Sequence, residues 1–229
     1  MTGTGPSMGQ AGAYGGLERV PTGIAGLDDI LGGGLFRGGV YIVQGTPGSG
    51  KTIFGNQACY THAGAPPAHS THAGASPENR ALYVTLLAES HSRMLGHIAP
   101  LGFFEAGLIP DRITYLSAFR TLQDEGLAGL LTLLRRETAT REATLLVLDG
   151  LVAAEETASS TLEFKTFIHE LQTQAAATGF YSVTVTTGTA FTYTTLAAIP
   201  SGSLLTNTTR MVTANVGLPY GYTQIPQVV

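Results

Sequence analysis

One short stretch constrains the fold more than any other. Gly45-Thr46-Pro47-Gly48-Ser49-Gly50-Lys51-Thr52 fills the pattern G-x-x-x-x-G-K-[ST] of a phosphate-binding loop. Each fixed position has a mechanical task. Glycine lets the backbone bend so that its N–H groups turn inward around phosphate oxygens. A following helix adds its N-terminal dipole and unpaired N–H groups. Lys51 is placed to reach the β- and γ-phosphates, and the Thr52 hydroxyl to hold Mg²⁺. The flanks supply the required setting. Val40-Tyr41-Ile42-Val43-Gln44 is an apolar, β-branched run that reads as a buried strand. Ile53, Phe54, Ala58 and Cys59 follow at spacings that suit one helical face.

The rest of the chain must complete a sheet around this unit. Ala81 to Leu86, Arg112 to Leu116, Leu145 to Leu148 and Tyr181 to Thr186 read as strands. Between them, Met94, Leu95 and Ile98 repeat at helical spacing. Leu127, Leu130, Leu131 and Leu134 form an amphipathic stripe with Arg135 and Arg136 outside it. Phe164, Phe167, Ile168, Leu171 and Ala175 mark another helix, with Ser160 and Glu163 at capping-box spacing. Such alternation predicts an α/β fold in three layers, a mainly parallel central sheet covered by helices on both faces. In such sheets ligands bind at the carboxyl ends of the strands.

That rule singles out two carboxylates. Asp149 follows Leu145–Leu148 and stands where this strand would emerge. There it can accept from a Mg²⁺-bound water or from Thr52; a strand-ending Asp-Gly turn is the plainer reading. Glu89 lies just past the strand that starts at Ala81, where it could orient and deprotonate an attacking water. As a helix-start residue it would instead interact with the dipole of the helix through Met94.

Length and charge bound the remaining possibilities. The 229 residues suffice for one α/β domain with a sizeable core. Formal net charge is −4 and no lysine/arginine cluster stands out, so nothing announces a nucleic-acid surface. A single cysteine, Cys59, excludes an intrachain disulfide framework and a multi-cysteine zinc site, and suits a reducing, cytoplasmic setting. The glycine-rich residues 1–16 lack a basic start and an apolar centre, so they read as a mobile arm rather than a secretory signal.

The stretch Val20-Pro21-Thr22-Gly23-Ile24-Ala25-Gly26-Leu27-Asp28-Asp29-Ile30-Leu31-Gly32-Gly33-Gly34-Leu35, followed by Arg37-Gly38, a strand and the loop, resembles the opening of KaiC-like ATPases of the RecA superfamily. The resemblance continues through Leu82-Tyr83-Val84-Thr85, Glu89-Ser90 and Leu146-Val147-Leu148-Asp149, and covers roughly Arg19 to Phe180. It implies a single RecA-like P-loop domain over residues 17–229. It implies ATP and Mg²⁺ as ligands, hydrolysis of ATP to ADP and phosphate with Glu89 as base, and a homo-oligomeric ring or filament acting as a switch or assembly module. The same resemblance leaves open a regulatory module with little turnover, or a recombination ATPase.

Three departures from the family pattern accompany it. Family members often carry two adjacent glutamates where this chain has Ala88-Glu89, which weakens the expectation of brisk hydrolysis. Thr61-His62-Ala63-Gly64-Ala65 recurs as Thr71-His72-Ala73-Gly74-Ala75, which reads as a surface-loop insertion over about residues 61–79. Its histidines, His62, His69 and His72, lack a companion cysteine or acidic cluster, so a solvated loop is expected rather than a metal site. The segment from about residue 180 is threonine-rich, and after Leu171 Arg210 is the sole charged side chain. RecA-like assemblies commonly reach a neighbour's γ-phosphate with late basic residues; Arg210 is the one late candidate here, and a lone surface arginine is the preferred reading. This segment could also complete the sheet or pair with another chain, and it is too interrupted for a membrane span.

Overall fold

The structure, a computed structural model, describes residues 18–65, 79–88, 90–187 and 210–211. Its frame is a six-stranded parallel sheet. In chain order the elements are β1 (Arg19–Val20), α1 (Ala25–Ile30), β2 (Leu35–Phe36), β3 (Val40–Gly45), α2 (Lys51–Gly64), β4 (Ala81–Thr85), α3 (His91–Ile98), a 3₁₀ turn (Ala106–Leu108), β5 (Ile113–Ser117), α4 (Phe119–Thr140), β6 (Leu145–Asp149), α5 (Leu151–Thr157), α6 (Thr161–Thr178), β7 (Tyr181–Thr187) and β8 (Arg210–Met211). The sheet order is β5-β4-β6-β7-β3-β8, while β1 and β2 form a separate antiparallel pair. The three-layer, parallel α/β architecture expected from the alternating pattern is the one observed.

Strand parity divides the core. On β3 to β7 the buried odd-numbered residues face α2 and α3, and the even-numbered ones face α4, α5 and α6, because side chains alternate along a strand. Leu82, Val84, Leu146 and Leu148 join the α4–α6 cluster with Leu130, Leu134 and Phe167. Tyr41, Tyr83, Val147 and Val183 join the α2 cluster with Cys59, Met94 and Ile98. Register aligns these last four across the sheet, Tyr83 with Val147, Val147 with Val183 and Val183 with Tyr41. Being covered on both faces explains why β4 and β6 read as unbroken apolar runs.

The helix stripes fall as their spacing predicts. Leu127, Leu130, Leu131 and Leu134 are all buried on α4, and Phe164, Phe167, Ile168, Leu171 and Ala175 on α6. Helix α4 begins eight residues before its leucine stripe and is broken at Gly126, whose φ of 66° and ψ of −160° are not helical. At the start of α6 the Ser160 hydroxyl accepts from the Glu163 N–H at 3.1 Å. The Glu163 carboxylate, however, reaches back one residue further than a capping box requires, to the Ser159 N–H at 2.7 Å.

The reading of residues 61–79 as a loop needs correcting at its start. Helix α2 runs on through Gly64, so Thr61 and His62 are helical. His62 is not a solvated loop histidine. It is 2% exposed, its Nε2 lies 2.7 Å from Thr144 Oγ1, and its ring meets Tyr181 edge-on at 5.3 Å. The helical periodicity of α2 continues through Ala58, Cys59, His62 and Ala63, all buried, and the repeat had hidden it. His69 and His72 lie outside the described residues, as do the N-terminal arm and most of the segment after residue 187. The part of that segment that is described, β8, adds to the sheet beside β3, with Arg210 opposite Tyr41.

Candidate functional site

The loop Gly45–Thr52 joins the carboxyl end of β3 to the first turn of α2. Gly48 and Gly50 have φ of 78° and 85°, the left-handed region that side chains with a Cβ avoid. Gly50 is the N-cap of α2, and no side chain caps that end. The first N–H groups of the helix are therefore available to an anion. The Lys51 ammonium folds over the loop, donating to Thr46 O at 2.7 Å and to Ser49 Oγ at 3.3 Å. Partial burial lowers its pKa from the ordinary lysine value, against the opposing pull of the Asp149 carboxylate.

The resembling stretch Val20–Leu35 braces this unit from the side. Asp28 in α1 accepts from the Thr22 N–H and hydroxyl, both at 2.8 Å, and from the Gly23 N–H at 3.2 Å. This folds the Thr22-Gly23 turn onto α2, where the Gln57 side chain donates to Gly23 O at 2.8 Å. Gly23 has φ of 80°, and a Cβ there would sit 2.0 Å from Thr61 Oγ1. An apolar cavity of about 200 Å³ lies between α1 and the loop, lined by Leu27, Leu35, Tyr41, Phe54 and Lys51 among others. A larger cavity, about 820 Å³, opens between α4 and α6 beside the amino ends of β6 and β7. It is remote from the loop chemistry.

Asp149 is where the strand reading places it, the last residue of β6 and 8% exposed. Its odd parity turns the carboxylate toward α2. Although β7 lies between β3 and β6, Thr52 Oγ1 donates to Asp149 Oδ2 at 3.0 Å. Loop and strand end thus present hard oxygen donors side by side, a donor set that fits Mg²⁺. Gly150 follows with φ of 96° and starts α5, so the Asp-Gly turn is also real. The hydrogen bond to Thr52 and the Asp-Gly turn coexist at Asp149.

Glu89 lies outside the described residues. The chain leading to it leaves β4 beside Asp149: the Leu86 N–H donates to Asp149 O at 2.8 Å, and the Leu87 N–H to Thr85 Oγ1 at 3.2 Å.

Three participants were not read from the sequence. Tyr83 donates to Asp149 Oδ2 at 2.6 Å from within the sheet. Burial first, then the Asp149 charge and their hydrogen bond, push its phenol far above the usual tyrosine pKa, so it remains a donor. Asn56 donates to Thr52 O at 2.8 Å and accepts from Tyr115 OH at 2.8 Å. Asp28 organises the flank. The available signal was a hydroxyl-bearing ring that stands out in an apolar strand; that Tyr83 and Asp149 share a face depends on the register of β4 and β6.

The family model "ATPase: KaiC" matches residues 20–190. The chain belongs to the KaiC ATPase family. It is thereby a KaiC-like, RecA-type P-loop domain. Individual relatives match over short stretches. A UPF0273 protein of Aeropyrum pernix is 54% identical over 41 residues, 18% of this chain and 16% of the relative. One from Thermotoga maritima is 49% identical over 41 residues, 18% of this chain and 17% of the relative. The circadian clock oscillator protein KaiC of Prochlorococcus marinus strain MIT 9313 is 50% identical over 38 residues, 17% of this chain and 8% of that protein. The chain thus spans well under a fifth of the length of each of these curated relatives.

No described helix is long and apolar enough to cross a membrane. Among the described residues no cluster of histidine, cysteine and acidic side chains could hold a metal by itself. A cation at Thr52 and Asp149 would therefore need oxygens from a nucleotide or water to complete its shell.

Proposed function

We propose that this domain binds Mg²⁺-ATP at Gly45–Thr52, hydrolyses it, and acts as a nucleotide-governed switch or assembly module. The observation that carries the proposal is the 3.0 Å hydrogen bond between Thr52 and Asp149. It joins the end of the glycine loop to a carboxylate 97 residues later, at the carboxyl edge of a parallel sheet. In this reading the loop N–H groups and the α2 terminus receive phosphate oxygens, and Lys51 exchanges Thr46 O for the β- and γ-phosphates. Thr52 and Asp149 would hold Mg²⁺, which when bound would neutralise charge on the transferring phosphoryl group. In the same reading Glu89 accepts the proton of the attacking water.

A second reading, a regulatory module with slow turnover, is favoured by the single glutamate in Ala88-Glu89 and by the lack of any basic residue after Leu171 except Arg210. Assembly into a ring or filament follows from linkage. A nucleotide touching two subunits stabilises the assembled state by its differential affinity.

Calorimetry with ATP and Mg²⁺ tests the site. Lys51→Ala removes the charge facing the phosphates and is expected to weaken binding by about 2–5 kcal/mol, the scale of a truncated charge pair. Equal affinity in wild type and variant refutes the site. Phosphate release, with and without DNA, separates turnover from storage of nucleotide.

A further inference from the structure

The polar groups beneath the loop form two struts that meet at the Thr52–Asp149 pair. One is Tyr83, on β4. Residue pairing sets Asp149 opposite Thr85, two residues beyond Tyr83. Tyr83 and Asp149 are thus diagonal neighbours on one face, a separation that a tyrosine spans. Its hydroxyl reaches Asp149 Oδ2 at 2.6 Å, the same oxygen that accepts from Thr52. The other strut is Tyr115, on β5, which holds Asn56, which in turn donates to Thr52 O. The two rings support each other, with centroids 5.3 Å apart and an interplanar angle of 42°. Tyr83 is fully buried, so its hydroxyl has no solvent alternative to this bond.

We propose that Tyr83 is a positioning residue for the metal end of the nucleotide site: by fixing Asp149 Oδ2 it orients the carboxylate so that Oδ1 faces the cation bound at Thr52. The inference rests on the nucleotide-binding reading above. Both described hydrogen bonds to this carboxylate fall on Oδ2, and a carboxylate held at one oxygen has one orientation for the other. The ring of Tyr83 supports Tyr115, whereas the influence of its hydroxyl passes through Asp149.

The test is binding of a fluorescent ATP analogue to the full chain, titrated with Mg²⁺ and repeated in EDTA. Tyr83→Phe keeps the ring and its contact with Tyr115 and removes one oxygen. The Mg²⁺ concentration for half-maximal binding is expected to rise about three- to tenfold, the scale of one hydrogen bond. Affinity in EDTA is expected to stay within twofold of wild type. In an Asp149→Asn background the same substitution is expected to add nothing to the Mg²⁺ requirement, since its route is already lost. Wild-type binding with an unchanged Mg²⁺ requirement in Tyr83→Phe overturns the positioning role alone. An equal loss in Mg²⁺ and in EDTA, or an effect that persists beside Asp149→Asn, also overturns it, in favour of a packing role. A wild type that binds no nucleotide in either condition overturns the nucleotide reading and the role of Tyr83 together.

Discussion

His62 is expected to make the fold acid-sensitive. Its imidazole is buried in α2 between Thr144 and Tyr181, and burial, with the Arg37 and Arg112 charges as secondary causes, lowers its pKa from 6.5 to about 3. The unfolded chain binds a proton near pH 6.5 that the folded chain refuses until about pH 3. The sign follows from linkage. Stability from this group is fully present above pH 6.5 and is lost as pH falls toward the folded value. At about 1.4 kcal/mol per pH unit the whole effect is bounded near 5 kcal/mol, with about 2 kcal/mol of it lost between pH 7.5 and pH 5. Other groups also titrate over this range, so the measurement is a difference. Urea unfolding of wild type and His62→Gln is followed at pH 7.5, 6.5, 5.5 and 5.0. Glutamine keeps a polar partner for Thr144 and does not titrate. The variant is expected to be about 1–2 kcal/mol less stable at pH 7.5, the cost of an imperfectly replaced buried hydrogen bond. That deficit is expected to vanish or reverse by pH 5. Stability curves that run parallel across the whole range would show that His62 titrates alike in the folded and unfolded chains, as it would in a site open to water, and the burial argument would fall.

Three further outcomes can be checked separately. Gly23→Ala is expected to lose about 2–4 kcal/mol by denaturant melting, because alanine disfavours the left-handed backbone and its Cβ would meet Thr61. Under the catalytic proposal, Glu89→Gln retains ATP and slows phosphate release roughly 10²-fold or more; unchanged turnover would remove Glu89 from the mechanism. If the domain assembles with nucleotide and Arg210 serves as the finger, Arg210→Ala lowers turnover while the isolated subunit keeps its ATP affinity. A particle that light scattering finds monomeric at every concentration, yet that hydrolyses ATP, refutes both assembly and the finger.

The sheet was legible because burial on both faces writes itself into composition. Leu145-Leu146-Val147-Leu148 has no polar position to spare, and Ala81 to Leu86 almost none, so each reads as a central strand and each is one. Strand limits moved by a residue where pairing, rather than hydrophobicity, ends the ladder: β5 runs to Ser117 because Ser117 pairs with Thr85. The short helix α5 was not foreseen, since seven residues carry too little periodicity to register. The greater error, at His62, has a physical source. A repeated pentapeptide suggests one environment for both copies, but the environment of the first is set by the three helical turns that precede it.

The site was legible only in part, for a related reason. Motif spacing identifies Lys51 and Thr52 because one local turn determines where they point. Asp149 was reachable because a topological rule locates strand ends. What holds these residues in place is tertiary: Tyr83 meets Asp149 only because β4 and β6 are neighbours in a particular register. A slip of one residue in that pairing would turn Tyr83 toward α4 and leave the carboxylate without its buried donor. The register that fills the hydrophobic core is therefore the same one that aims the carboxylate. On this account a conservative change in β4 that leaves the core volume intact, Tyr83→Phe, is expected to leave Tm within a few degrees of wild type and to appear chiefly in the Mg²⁺ requirement. A large fall in Tm without a change in that requirement would separate the two roles and assign Tyr83 to the core alone.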